Sequence, residues 1–204
     1  MQRDGQVSFL ERELLNTNNK LLFLGGHCDD IELFCGKLLL ERKGHREHDP
    51  NAYGLVTAAG PVTPWITRMA VYAYNRAVGS SKVRIAESMQ AMGQLGIDND
   101  NLTYLQNPQF GLHRFPECIE DILIKIRKID PDLVVMPAYE GGHVDHDTTN
   151  LFGWLAALAS GISSDKIIEY AAYRFEQNSQ NLIIQEFKPK NGFSSFFHLI
   201  FLQA

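Results

Sequence analysis

The sequence predicts an α/β fold: a Rossmann-like, doubly wound, mostly parallel sheet with helices on both faces, in a single domain over residues 1–204. Three observations carry this expectation. Short apolar runs alternate with segments of helical rhythm along most of the chain. The run Leu133-Val134-Val135-Met136 is apolar throughout, as a strand covered on both faces must be. Glycine and proline mark the segment ends, and neither a repeat nor a low-complexity linker divides the chain.

Residues 1 to about 20 are polar, with Leu10, Leu14 and Leu15 suggesting a short helix packed on the edge. The first strand is read over 20–26. A helix follows over about 30–43, where Ile31, Leu33, Phe34, Leu38, Leu39 and Leu40 keep a helical rhythm and Gly44 sits at the C-terminus. Residues 45–50 read as a polar loop carrying His45 and His48. The second strand spans 52–58 and ends at the turn Ala59-Gly60-Pro61. Residues 61–80 read as a mobile or substrate-facing loop with a helical piece. Its Trp65, Tyr72 and Tyr74 suit either a sugar ring or the core, and its Arg68 and Arg76 suit an anion or the surface. Ser80 or Ser81 caps a helix over about 82–95, with Val83, Ala86, Met89 and Leu95 on its apolar face and Gly96 closing it. A third strand at 102–105 and a loop at 106–115 come next. Pro116 opens a helix to 129 with Ile119, Ile122, Leu123 and Ile126 inward. After the turn Asp130-Pro131-Asp132 comes the 133–136 strand, broken by Pro137. A helix through about 160 and strands at 166–175 and 182–187 complete the order, with an apolar stretch at 193–204.

Bulk composition narrows the function. The 204 residues carry a formal net charge of -5, which disfavours a nucleic-acid groove. No apolar run approaches the roughly 18 residues of a membrane span, and Met1-Gln2-Arg3-Asp4-Gly5 lacks the apolar core of a signal peptide. Three cysteines, Cys28, Cys35 and Cys118, form no disulfide framework, so a reducing, cytoplasmic location is expected.

The chemistry concentrates in two clusters. Strand one runs through Gly25-Gly26 into His27-Cys28-Asp29-Asp30, and the 133–136 strand leads to His143-Val144-Asp145-His146. Each cluster follows a strand end and precedes a helix, the place where open α/β sheets hold ligands. If the strands are neighbours, His27, Asp29 and Asp30 face His143, Asp145 and His146. The His-x-x-His spacing at a helix start aims both imidazoles one way. Two histidines and an aspartate with an open position make a catalytic metal site, and a second carboxylate beside it can take a proton. Taken singly, Asp29, Asp30 or Asp145 reads as a helix cap; the pairing favours a metal. Gly25-Gly26 lacks the Gly-x-Gly-x-x-Gly pattern, and two carboxylates there would repel a dinucleotide. Cys28 and Cys118 read as core, and Tyr139 as a candidate acid or substrate contact near His143.

His27-Cys28-Asp29-Asp30-Ile31-Glu32-Leu33 with Cys35-Gly36 resembles the His-Pro-Asp-Asp signature of the PIG-L/LmbE-like zinc-dependent N-deacetylases. His143-Val144-Asp145-His146 resembles that family's His-Pro-Asp-His, and Arg84-Ile85-Ala86-Glu87 its Arg-x-x-Glu helix. The likeness covers about 20–160 and leaves 161–204 poorly matched. It implies a metal held by His27, Asp30 and His146, with zinc (Zn2+) as the ion and Fe2+ as an alternative. It implies Asp29 as general base toward a zinc-bound water, His143 as the protonated group assisting the oxyanion or leaving amine, and Asp145 orienting His143. Arg84 would contact substrate. The implied reaction removes acetyl from an N-acetylglucosaminyl-type conjugate, a small-molecule partner, in a monomer or a homo-oligomer. A non-enzymatic carbohydrate-binding relative and a hydrolase of another amide are the alternatives. Cys28 and Val144 stand where the signatures have proline, which stiffens the turn and binds nothing. Phe34 and Lys37 stand where the family often has glycine, which would change how the first helix packs.

Overall fold

A computed structural model of the chain describes residues 9–62, 80–175 and 182–184. Five parallel strands form the sheet in the order β3-β2-β1-β4-β5: β1 (Leu21–Gly25), β2 (Ala52–Val56), β3 (Leu102–Tyr104), β4 (Leu133–Pro137) and β5 (Ile167–Tyr170). Chain order runs outward from β1 to one edge, then returns to pair β4 on the other side of β1. Leu21, Leu22 and Phe23 sit opposite Leu133, Val134 and Val135 in this pairing. The reversal of strand order therefore lies between β1 and β4, and it opens a crevice at their carboxyl ends.

Strand side chains alternate between two cores. Leu21, Phe23, Leu133 and Val135 face α1 (Phe9–Leu15), α2 (Asp30–Lys43) and α3 (Ser81–Gln94). Leu22, Leu24, Val134 and Met136 face α4 (Cys118–Ile129) and α5 (Val144–Ala159). Every residue of β1 and β4 is buried, which explains their uninterrupted apolar character. Gly153 lets α5 lie tight on the sheet: a Cβ there would come within 2.8 Å of the Leu24 side chain.

Several expectations need correction. On α2, Leu33 and Leu40 are exposed, and the buried stripe is Ile31, Phe34, Cys35 and Leu39. On α3, Val83 and Ala86 are exposed and the face is rotated, with Ser88 and Met92 buried. A polar Ser88 occupies a core position because it has partners there, so apolar periodicity alone misplaced the face. Pro137 ends β4 from within, in register with Tyr170. The expected strand over 166–175 is two: β5 stops at Tyr170, and β6 (Tyr173–Phe175) pairs antiparallel with β7 (Leu182–Ile184). Between them the chain turns off the sheet, where the Ala172 amide donates to Glu140 Oε2 at 2.9 Å. Trp65, Arg68, Tyr72, Tyr74, Arg76 and the 193–204 stretch lie outside the described residues.

The loop over 45–50 is less solvated than its composition suggests. Arg42, 2% exposed, donates from Nε to Asp49 Oδ2 at 2.7 Å. Its other donors reach the carbonyls of Leu14, Asn16 and Asn19. One guanidinium thereby ties α1 and the segment before β1 to α2.

Candidate metal centre

The crevice between β1 and β4 gathers the two clusters. Asp30 opens α2, and its Oδ2 accepts from the amides of Gly26 (2.8 Å) and His27 (2.9 Å). That oxygen lies 3.1 Å from His146 Nε2 and 3.9 Å from His27 Nδ1, and the two nitrogens are 3.2 Å apart. Donor atoms about 2.0–2.1 Å from a tetrahedral zinc stand about 3.3 Å from one another. These three separations bracket that spacing, so the donor set suits a divalent ion. The imidazoles of His27, His143 and His146 also bring donor atoms within 4.8 Å of one another, so His143 borders the same point. Gly26 makes the approach feasible, since a Cβ there would stand 2.9 Å from His146 Cδ2.

Asp145 is fully buried and acts differently from expectation. Its Oδ2 contacts His27 Nε2 at 3.1 Å rather than His143. What it offers His143 is its backbone: the Asp145 amide donates to His143 Nδ1 at 3.1 Å. His143, not Asp145, is thus the cap of α5. With Nδ1 accepting, the ring carries its proton on Nε2. Asp29, at the equivalent position before α2, makes no capping bond with its side chain. Its carboxylate is more than half exposed, with Oδ1 3.5 Å from Arg84 Nη2. Arg84 also donates to Gln109 Oε1 at 2.7 Å. Tyr139 is 57% exposed in the loop after β4.

The family described as PIG-L, GlcNAc-PI de-N-acetylase, matches residues 22–157, more than half of the chain and both clusters. This chain belongs to the PIG-L family. Comparison with curated proteins gave no match. Among solved structures, this PIG-L chain is similar to a deacetylase triple mutant of the teicoplanin biosynthetic pathway (TM-score 0.61, 21% identity, 74% of this chain and 63% of that one). It is likewise similar to the zinc-inhibited form of teicoplanin deacetylase (0.61, 17%, 74% and 67%). A third is N,N'-diacetylchitobiose deacetylase from Pyrococcus horikoshii (0.52, 18%, 83% and 70%). At these identities the likeness establishes the fold. The chain spans under two thirds of the length of the first of them. Among the described residues, no helix is long and apolar enough to cross a membrane.

The electrostatics of this PIG-L site follow from burial and pairing. Burial opposes a charge on His27, but its bonds to Asp145 and Asp30 outweigh it and raise the pKa to about 9. Burial alone would raise Asp30 and Asp145, yet the first is drawn well down by His146 and His27. The second is drawn down by His27 and by the amides of Phe110 and Leu112. His143 is pushed down to about 4 by burial, reinforced by the adjacent His27 and His146. Burial lifts the Cys28 thiol to about 11, so it stays neutral and packs as core. Its carbonyl accepts from Ser88 Oγ on α3.

The sequence places a loop at 106–115 but gives no sign of its role at the site. The Phe110 amide donates to Asp145 Oδ2 at 2.5 Å and the Leu112 amide to Oδ1 at 3.2 Å. Backbone donors leave no mark in side-chain identity. Ser88 and Gln109 were also missed, and only their polar character in otherwise buried surroundings could have signalled them.

Proposed function

We propose that this chain is a metal-dependent N-deacetylase, with zinc held by His27, Asp30 and His146, that hydrolyses the acetamide of an N-acetylated amino-sugar conjugate. The observation that carries this is the spacing of His27 Nδ1, His146 Nε2 and Asp30 Oδ2, 3.1–3.9 Å apart, at the reversal of strand order. Membership of the PIG-L family supports the reaction class. The likeness to deacetylases of an antibiotic pathway and of diacetylchitobiose supports an acetylated sugar as substrate class. Three free, buried thiols suit a cytoplasmic setting.

Held by His27, Asp30 and His146, a divalent ion would supply Lewis-acid chemistry, lowering the pKa of water toward about 7 and polarising the acetamide carbonyl. The chain's residues do the rest. Asp29 is an exposed carboxylate on the same turn as two of the donors, and it takes the proton from the attacking water. Arg84, 3.5 Å from Asp29, keeps that carboxylate in place and takes the substrate-contacting role that the resemblance implies. Burial and the neighbouring imidazoles push His143 down to about 4 in the metal-free chain, so in place of the protonated group that the resemblance implies, its Nε2–H serves as an uncharged donor to the oxyanion as the carbonyl carbon becomes tetrahedral. The C–N bond then breaks, the proton held by Asp29 passes to the amine, and acetate and a free amine leave. Asp145 holds His27, Tyr139 meets the sugar from the loop after β4, and the single domain works as a monomer or a homo-oligomer.

Asp29→Asn tests the assignment. It should keep about one metal per chain by elemental analysis while acetate release from N-acetylglucosamine conjugates falls at least about 100-fold, the lower end of what a general base contributes. Near-parental acetate release from that variant would remove Asp29 from the role. A parent that binds zinc and sugar without releasing acetate would point to a binding protein instead.

A further inference from the structure

Phe110 carries a backbone conformation that its side chain does not favour. Its φ is 59°, in the left-handed region that a residue with a Cβ occupies only at a steric cost. The local chemistry explains the conformation. The left-handed turn lets the amides of Phe110 and Leu112 converge on the two oxygens of Asp145, forming an anion-binding concavity. Glycine would meet that backbone requirement more cheaply. A phenylalanine here needs a separate reason, and its ring supplies one. The Phe110 ring centroid stands 4.8 Å from that of His143, at 51° to it. The His27 ring meets His143 edge-on at 4.6 Å, and Tyr173 lies 6.5 Å away.

Resting on the deacetylase reading above, we infer that Phe110 is a positioning residue for His143. Its backbone amide fixes Asp145, and its ring bounds the His143 imidazole so that Nε2–H stays aimed at the reacting carbonyl. One residue thereby serves two of the three imidazoles at the metal position: His27 through Asp145, and His143 by direct packing.

Phe110→Gly separates the two roles, since it keeps the amide and relieves the backbone while deleting the ring. Phe110→Leu keeps an apolar wall. Long-range 1H–15N spectra of the zinc-loaded chain should show His143 as a single Nε2–H tautomer in the parent and in Phe110→Leu, and as tautomers in exchange in Phe110→Gly. In Phe110→Gly, kcat for acetate release should fall about 10-fold with KM within about twofold, as expected when an interaction made only in the transition state is lost. Metal content should be unchanged, and Phe110→Leu should recover most of the rate. Unchanged His143 signals in Phe110→Gly would overturn the inference whatever the activity, and so would an unchanged kcat. A parent without acetate release would instead overturn the deacetylase reading, and the His143 spectra would still decide the role of Phe110.

Discussion

Replacing Asp145 by asparagine tests whether this buried carboxylate acts through His27. The side chain accepts three bonds, from His27 Nε2 at 3.1 Å, Phe110 N at 2.5 Å and Leu112 N at 3.2 Å, with no exposure to water. An asparagine amide keeps one accepting oxygen and turns the other corner into a donor facing donors. Hydrogen bonds to charged groups contribute about 1.5–3 kcal/mol each, and a buried donor left unsatisfied costs about 1–3 kcal/mol. Losing one charge-assisted bond and stranding one donor therefore costs about 3 kcal/mol or more. For a chain of this size that lowers Tm by roughly 6–12 °C. Loss of the acceptor on His27, the imidazole proposed to hold the metal, should also weaken metal binding about 10–100-fold. Thermal melts of the metal-free chain and zinc titration against a competing chelator measure the two effects. A variant that bound zinc as tightly as the parent while losing turnover would refute the reasoning, and would return Asp145 to the orientation of His143.

The raised pKa of His27 makes the metal-free chain pH-sensitive in a set direction. Its folded pKa of about 9 exceeds the usual 6.5, so the stability it contributes is complete below pH 6.5 and vanishes as pH rises through 9. At 1.36 kcal/mol per unit the loss approaches about 3 kcal/mol; melts from pH 6.5 to 9.5 should show it in the parent and not in His27→Gln. Arg42→Met leaves Asp49 charged and buried and strands the carbonyls of Leu14, Asn16 and Asn19. That should cost about 3–5 kcal/mol, read as a lower denaturant midpoint, with activity per folded molecule unchanged because the site is elsewhere.

Much of this architecture is legible in the sequence, because burial on both faces of β1 and β4 imposes uninterrupted apolar runs that nothing else requires. The helices α2, α3, α4 and α5 begin and end within two residues of their expected positions, and Gly44 and Gly96 adopt positive φ (57° and 96°) where the chain leaves α2 and α3. The clustering of His27, Asp30, His143 and His146 was legible as well, from two matching strand-to-helix contexts. Orientation was not. Whether Asp145 turns to His27 or His143 depends on which loop supplies its amide partners, and that loop acts through backbone. The face of α3 was misread because Ser88 occupies a core position through its bonds to the Cys28 carbonyl and Glu32. The end of β5 was misread because Tyr170 anchors the strand by bonding its hydroxyl to the Leu24 carbonyl at 3.0 Å, a contact between residues 146 positions apart.

The pairing of β1 with β4 has a consequence for how the chain acquires its structure. Asp30 and His27 are neighbours and are organised by local amides, whereas His146 is delivered from the other half of the chain, 119 positions from His27. Loops of that length close slowly, because their entropy must be lost before the contact repays it. An ion that binds only the assembled donors stabilises the closed state by mass action and leaves the separate halves unaffected. Zinc would then act as a clasp on the sheet, slowing its opening as well as serving the reaction, and the lifetime of the folded chain would lengthen with the free concentration of the ion.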